Sequence, residues 1–306
     1  MNRKLIIFSI IIILILGGVF LLFKLPGHSI EWQNATSFFN DFFKPKPITI
    51  VVFGLSNEKL ADAILMVYYV PEKSKVFLIS IPRDLWIADK KEQFKINEVF
   101  SRNKTELVLE KIEDITGLKV NGYLVVNLET IKEMIDELGG VDITLSEPAI
   151  DWVSGYTLGP GTAHLNGEDA VWLIRNRFNP EGDFFREKNQ HQIIEKAFEK
   201  FKLLNQQQKF AFMKKFFINS ETLKTLNLDS KIISELLFKT DVSELKIKSV
   251  VLDFSTKLFR TAAIPIATGT INSDASTTKN ISVLLPTEGF EKYDQIREYI
   301  KAQVNF

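Results

Sequence analysis

Between Arg175 and Gln190 the chain reads RNRFNPEGDFFREKNQ, a stretch that gathers three arginines, an aspartate and a glutamine. Arg175 and Arg177 have one residue between them. Asp183, Arg186 and Gln190 follow at spacings of three and four, which places them on one face if the segment is helical. Guanidinium groups beside a carboxylate suit a phosphorylated ligand, because the planar fork matches phosphate oxygens bidentately. The same residues would equally make a surface ion-pair network, and the stretch alone does not separate the two. Upstream, Asn166 can cap a helix, with Asp169 at its positive start. Ala170, Val171, Leu173 and Ile174 give it an apolar side. Side chains two apart on a helix diverge by about 200°, whereas in extended chain they point the same way. For Arg175 and Arg177 to grip one ligand, the helix must therefore stop near Ile174.

Three further clusters carry chemistry. Ser80-Ile81-Pro82-Arg83-Asp84 follows a buried-type apolar strand, and Pro82 ends it, leaving Arg83 and Asp84 on the rim. In α/β sheets that rim is where ligands bind; a local Arg–Asp pair in a turn is the alternative. Asp62 stands just before the second apolar strand. It could hold a hard metal at a phosphate site, or cap a turn. In Phe94-Lys95-Ile96-Asn97-Glu98, alternation sends Phe94 and Ile96 one way and Lys95 and Asn97 the other. His28, His164 and His191 lack metal-type spacing, so zinc is not expected. There is no G-x-S-x-G elbow, phosphate-binding P-loop or dinucleotide fingerprint.

The elements that would position these residues read as an α/β layered domain: a central, mostly β-branched sheet flanked by helices. Strands are expected at Ile48 to Phe53, Ile64 to Val70, Val76 to Ile81, Tyr123 to Asn127 and Val141 to Leu145. Leu245 to Phe259 and Ile281 to Leu285 read as late strand regions. Helices are expected at Thr105 to Thr116, Leu128 to Leu138, Phe198 to Phe217 and Glu291 to Val304, with a loop from Ala267 to Lys279. Ahead of the domain, Arg3 and Lys4 precede an uncharged apolar run from Leu5 to Phe23, about 19 residues, enough to cross a bilayer core. A signal peptide is the competing reading, but no small-x-small cleavage site follows. The expected organisation is a cytoplasmic tip and membrane anchor over residues 1–24, a linker over 25–47, and an extracytoplasmic domain over 48–306.

Composition agrees with one anchored globular domain: 306 residues, 45% hydrophobic, 25% charged and no cysteine. Disulfides, thiolate metal sites and cysteine nucleophiles are thereby excluded. A net charge of zero argues against nucleic acid as a bulk partner.

In order and spacing these blocks resemble the LytR-CpsA-Psr family of cell-wall enzymes over roughly residues 48 to 306. The resemblance rests on the anchor, the strand ending at Gly54, Asp62, SIPRD (Ser80 to Asp84) and KIN (Lys95 to Asn97). It extends through LGGVDITL (Leu138 to Leu145), LNGEDAVWLIRNR (Leu165 to Arg177), D-x-x-R-x-x-x-Q (Asp183 to Gln190) and the closing LLPTEGF. The family implies transfer of a glycopolymer from a polyprenyl-diphosphate carrier to peptidoglycan, forming a phosphodiester to a sugar hydroxyl outside the membrane. By position, Arg83, Lys95, Arg175 and Arg177 match its diphosphate-binding bases. Arg186 and Gln190 match its head-group clamp, and Asp62 matches one of two magnesium-associated aspartates. Three positions depart from the pattern: Ser56 stands where the other aspartate is usual, and Leu60 and Asn189 where arginines are usual. The alternatives are a pseudo-enzyme that binds prenyl-phosphate lipids or scaffolds wall assembly, and a hydrolase of the lipid carrier.

Overall fold

In a computed structural model, residues from Lys46 to Phe306 form one compact unit. The structure describes residues 45–55, 59–178, 182–218, 227–230, 232–233, 236, 240–268 and 277–305. The expected span at residues 5–23 lies outside them. No helix among the described residues is long and apolar enough to cross a membrane.

The described strands are β1 (Ile48–Leu55), β2 (Ala61–Val70), β3 (Lys75–Ser80), β4 (Trp86–Ala88), β5 (Gln93–Lys95), β6 (Gly122–Asn127), β7 (Val141–Leu145), β8 (Ala149–Ile150), β9 (Thr157–Leu158), β10 (Gly161–Leu165), β11 (Asn227–Leu228), β12 (Lys246–Val250), β13 (Phe259–Thr268) and β14 (Thr277–Pro286). The α-helices are α1 (Thr105–Thr116), α2 (Leu128–Glu137), α3 (Gly167–Arg175), α4 (Asp183–Leu203), α5 (Gln206–Met213) and α6 (Asp294–Val304). The central sheet is mixed, in the order β11-β6-β1-β2-β3-β12. β2 is antiparallel to both β1 and β3, while β6 lies parallel to β1 and β12 parallel to β3. The carboxyl ends of β1, β3 and β6 therefore share one edge, beside the first residues of β2.

Pairing across the ladder sorts the side chains into two faces. Val51 is opposite Met66 and Tyr123, and Phe53 opposite Ile64 and Val125. This face is closed: Val51, Phe53, Met66, Phe77 and Ile79 pack with Val108, Ile112 and Ile115 of α1 and Ile296, Ile300 and Val304 of α6. The other face carries Ile50, Val52 and Gly54, with Val67 opposite Ile50, Leu124 opposite Val52, and Ala63 and Val126 opposite Gly54. Ile50, Val52, Val67, Leu124 and Val126 are half-buried. A separate cluster, with Ile135 of α2, Leu173 and Ile174 of α3 and Phe185 and Ile193 of α4, packs without them. Gly54 narrows the chain where this face meets the strand ends: a Cβ there would stand 3.1 Å from that of Ala63.

Local boundaries differ from the sequence reading in several places; the last helix, for one, begins at Asp294 rather than Glu291. β2 begins at Ala61, so Asp62 lies on the strand rather than ahead of it. The helix expected over Phe198 to Phe217 breaks at Leu204, because Asn205 caps α5: its side chain accepts from the Gln208 amide at 2.9 Å, and Gln208 reaches back to the Asn205 amide at 2.9 Å. The strand region from Leu245 to Phe259 divides into β12 and β13, parted by a turn at Phe254–Thr256. The expected loop from Ala267 shrinks, because β13 runs to Thr268 and β14 starts at Thr277.

Candidate active site

Helix α3 delivers the first arginines. Asn166 caps it, accepting from the Asp169 amide at 2.9 Å, as the sequence suggested. Its first residue, Gly167, lets α2 approach: a Cβ there would lie 2.2 Å from the Lys132 carbonyl oxygen, and the Gly167 amide donates to Asp136 at 2.7 Å. The helix ends at Arg175, and Asn176 is extended, with φ −67° and ψ 128°. The buried Asn176 side chain donates to the Ile150 carbonyl at 3.0 Å, fixing the exit.

That exit sends Arg177 to the strand-end edge. Its Nη2 lies 3.4 Å from Asp62 Oδ1 and its Nε 3.4 Å from Asp183 Oδ1. Arg83 follows the end of β3, as Pro82 implied. Its Nη1 pairs with Asp62 Oδ1, and its Nε lies 3.3 Å from Asp183 Oδ2. Arg186 Nη2 is 2.9 Å from Asp183 Oδ2. Lys95 joins from the side: its Nζ donates to Asp84 Oδ1 at 2.7 Å, and Asp84 Oδ2 is 3.9 Å from Arg83 Nε. Asp62, Arg83, Lys95, Arg177 and Arg186 are thus brought together. Asp183 is the hub, holding three guanidiniums, a role the sequence reading did not assign.

Two expected members stand elsewhere. The Arg175 side chain is exposed and makes no hydrogen bond or ion pair with the described residues. The reason is local: the helix runs one residue further than a shared grip requires, so Arg175 and Arg177 do not lie together on extended chain. The Gln190 side chain donates to the Ile174 carbonyl at 3.1 Å, bracing the end of α3 against α4. Lys95 closes β5, but Ile96–Glu98 is a 3-10 turn, so Asn97 is buried rather than sent outward with Lys95. The Asn97 amide donates to the Arg83 carbonyl at 3.2 Å and so backs the site.

Beneath the cluster lies a buried polar layer that sequence reasoning missed. Arg186 is only 2% exposed; burial pulls its pKa down to about 10 although Asp183 opposes this, so it stays a cation at neutral pH. Glu187 is pushed up to about 8, chiefly by burial and further by Asp183, and is largely protonated at pH 7. Burial pulls His191 down to about 4, leaving it neutral. His191 Nε2 is 2.7 Å from Ser80 Oγ, tying α4 to the end of β3. The signal was present in α4 itself: its charged and amide residues recur on every side, including the side that must face the sheet.

Four cations therefore interleave with Asp62, Asp84 and Asp183, in a site whose Arg83 side chain is 14% exposed and Asp62 22%. Such an arrangement keeps guanidiniums oriented without ligand and leaves a cationic excess for an anion. Among the described residues no group of three or more His, Cys, Asp or Glu side chains could hold a metal ion. Ser56, Asn57 and Glu58 lie outside the described residues; Leu60 and Asn189 bring no charge, and Asn189 is buried with its Nδ2 unpartnered.

The LytR_cpsA_psr family model matches residues 29–274. The chain is 27% identical over 175 residues to the polyisoprenyl-teichoic acid–peptidoglycan teichoic acid transferase TagU of Bacillus cereus, covering 55% of this chain and 57% of that protein. The protein of the same name from Bacillus licheniformis is 30% identical over 156 residues, 49% of this chain and 50% of that one. The chain thus spans little more than half the length of these curated relatives. In fold it is similar to Bacillus subtilis TagV, with a TM-score of 0.60 at 19% identity over 86% of this chain and 99% of that one. A structure of TagT bound to LIIa-WTA superposes with a TM-score of 0.61 at 17% identity, over 86% of this chain and 91% of that one. With the family model matched over most of its length, this chain belongs to the LytR-CpsA-Psr family.

Proposed function

We propose that the protein transfers a glycopolymer from a polyprenyl-diphosphate carrier to a sugar hydroxyl of peptidoglycan. One observation carries the reading: a half-buried apolar sheet face, Ile50, Val52, Val67, Leu124 and Val126, runs to the edge where Asp62, Arg83 and Arg177 meet. An apolar chain beside a guanidinium cluster fits a prenyl diphosphate. Each CH₂ taken from water contributes about 0.8 kcal/mol, so a long prenyl chain needs such a lining. Helix α2, which follows β6 directly, is the expected cover, and the prenyl chain would lie between it and the sheet.

In the reaction the acceptor hydroxyl attacks the phosphorus that bears the glycopolymer. A new P–O bond forms, the bridging P–O bond breaks, and prenyl monophosphate leaves as the hydroxyl proton passes to a phosphate oxygen or water. Phosphoryl transfer depends mainly on positioning and charge neutralisation. Arg83 and Arg177, with Lys95 and the buried Arg186 behind them, supply both. Arg175 reaches the outer part of the ligand from its helix end, and Gln190 keeps α3 and α4 in register. A magnesium (or manganese) ion would be held there by Asp62 as its single carboxylate together with substrate phosphates, and would add neutralising charge. The relatives' names speak of teichoic acid; the proposal for this chain is the wider class of phosphate-linked wall glycans.

The same reading makes residues 1–24 a cytoplasmic tip and single anchor, residues 25–47 a linker, and residues 48–306 an extracytoplasmic domain. Protease added to intact protoplasts should digest the domain; protection would remove the substrate from reach and overturn the reading. For the site, Arg177→Ala should weaken diphosphate-lipid binding by about 1.5–3 kcal/mol, the value of a charge-assisted contact. Turnover should require a divalent ion and a sugar acceptor. Binding without metal-dependent turnover would point to a pseudo-enzyme, and turnover without an acceptor to a hydrolase.

A further inference from the structure

The β8–β9 hairpin holds the most exposed aromatic side chain of the described residues away from the body of the domain. Trp152 is 71% exposed and its neighbour Val153 88%. The tip is stiff. Asp151 accepts from the Val153 amide at 2.9 Å, from the Ser154 amide at 3.3 Å and from the Ser154 hydroxyl at 2.7 Å. The Asp151 amide donates to the Tyr156 carbonyl at 2.8 Å, and the Gly155 amide to the Asp151 carbonyl at 2.7 Å. One flank is bolted to α3: the Tyr156 hydroxyl donates to Asp169 at 2.6 Å, and its ring meets Trp172 edge-on at 4.7 Å. A turn built this firmly presents its apolar side chains rather than fraying.

We propose that this tip is a membrane-interface anchor, with Trp152 and Val153 entering the head-group region of the bilayer beside the arginine site. The inference rests on the function proposed above, because a prenyl chain held in the bilayer brings the site to the membrane surface. Three observations select a bilayer as the occupant. From Trp152 to Tyr156 the tip has no charged side chain, and Asp151 is occupied by the turn itself. Tryptophan and tyrosine concentrate at membrane–water interfaces, and exposed apolar patches mark contact surfaces. The hairpin is continuous with the cationic site: Asn176, between the exposed Arg175 and Arg177, donates to Ile150 at the hairpin's base. The exposed guanidinium of Arg175 there suits an anionic lipid head group. A sugar platform would use the flat indole but leave Val153, an aliphatic group without hydrogen-bonding capacity, with nothing to contact.

The test uses the full chain in proteoliposomes containing anionic lipid and brominated acyl chains. The fluorescence difference between wild type and Trp152→Phe isolates this one indole, and brominated lipid should quench it. An unquenched difference overturns the proposal. The double variant Trp152→Ser, Val153→Ser should lose turnover several-fold with a long-chain, membrane-embedded donor and keep it with a short-chain, water-soluble donor. Equal loss with both donors, together with protection of Trp152 from aqueous acrylamide by soluble glycan, would make the tip a sugar platform instead. If no donor is ever turned over yet Trp152 is quenched, the anchor stands and the transferase reading falls.

Discussion

The two faces of the central sheet are made by the same strands and treated in opposite ways. On one, Val51, Phe53, Met66 and Phe77 are 0% exposed and sealed under α1 and α6. On the other, Ile50, Val52, Val67, Leu124 and Val126 are as apolar and only half-buried, although α2 and α4 pack nearby around a cluster of their own. Apolar side chains normally close together to protein-interior density. Leu65 and Leu78 close the β2–β3 part of this second face, while its β1–β6 part stays half-buried, and the function proposed above uses that part for an apolar ligand. The polar layer follows the same division. Ser80, His191 and the Arg83–Asp183 network belong to the α4 side.

Adjacent residues test the comparison most sharply. Phe53→Ala, on the sealed face, should cost about 3–5 kcal/mol of stability in denaturant unfolding. Val52→Ala, one residue away and on the half-buried face, should cost about 1 kcal/mol. Equal losses would mean that the faces do not differ. Val52→Phe sharpens the point: it should leave stability nearly unchanged while abolishing turnover of a long-chain prenyl donor, whereas added bulk on the sealed face would destabilise.

The next effect lies in the polar layer on the α4 side. Glu187 has its folded pKa raised to about 8 from an ordinary 4.5. The proton is thus held more tightly in the folded state. Its contribution is complete below pH 4.5 and is lost as pH rises towards 8. Glu187→Gln mimics the protonated group. It should therefore leave stability unchanged at pH 4 and raise it progressively between pH 5 and 8, as followed by thermal unfolding at several pH values. A gain independent of pH would show that the carboxyl is not what titrates. His191 works in the other direction: with its folded pKa lowered to about 4, it costs stability as pH falls below 6.5.

Much of this organisation was legible in the chain. Apolar runs marked β1, β2, β3, β6 and β7, because a strand's pattern is local. The caps at Asn166 and Gly117 marked the ends of α3 and α1. Arg83, Lys95, Arg177, Arg186 and Asp62 stood out by type, were joined as one site by the family resemblance, and do converge. What escaped was long-range. That Asp183 bridges Arg83 and Arg177, or that Ser80 meets His191 across 111 residues of sequence, follows from which helix lies over which strand. Residue types do not encode that. The unequal burial of the two sheet faces was equally hidden, since Val51 and Val52 are the same amino acid and only register separates them.

The smallest effect concerns Arg175, which the sequence paired with Arg177 and the structure parts from it. Arg177 sits between two carboxylates; Arg175, at the last position of α3, is exposed. An exposed cation at a helix C-terminus interacts favourably with the helix dipole, by roughly 0.3–1 kcal/mol at low ionic strength and less in salt. Arg175→Ala should therefore shift stability by no more than about 0.5 kcal/mol at physiological salt. Its effect on diphosphate-lipid affinity should be smaller than that of Arg177→Ala, because a mobile exposed side chain must be ordered before it contributes. Arg175→Lys separates charge from geometry. If Arg175 acts only as a nearby positive charge, lysine should restore affinity fully at low salt. If Arg175→Ala instead weakened binding as much as Arg177→Ala, and lysine failed to rescue it, ligand would have to draw the Arg175 fork into the cluster. The helix end at Asn176 would then unwind by one residue on binding, detectable as faster amide exchange of Asn176, whose amide now donates to the Leu173 carbonyl at 3.1 Å.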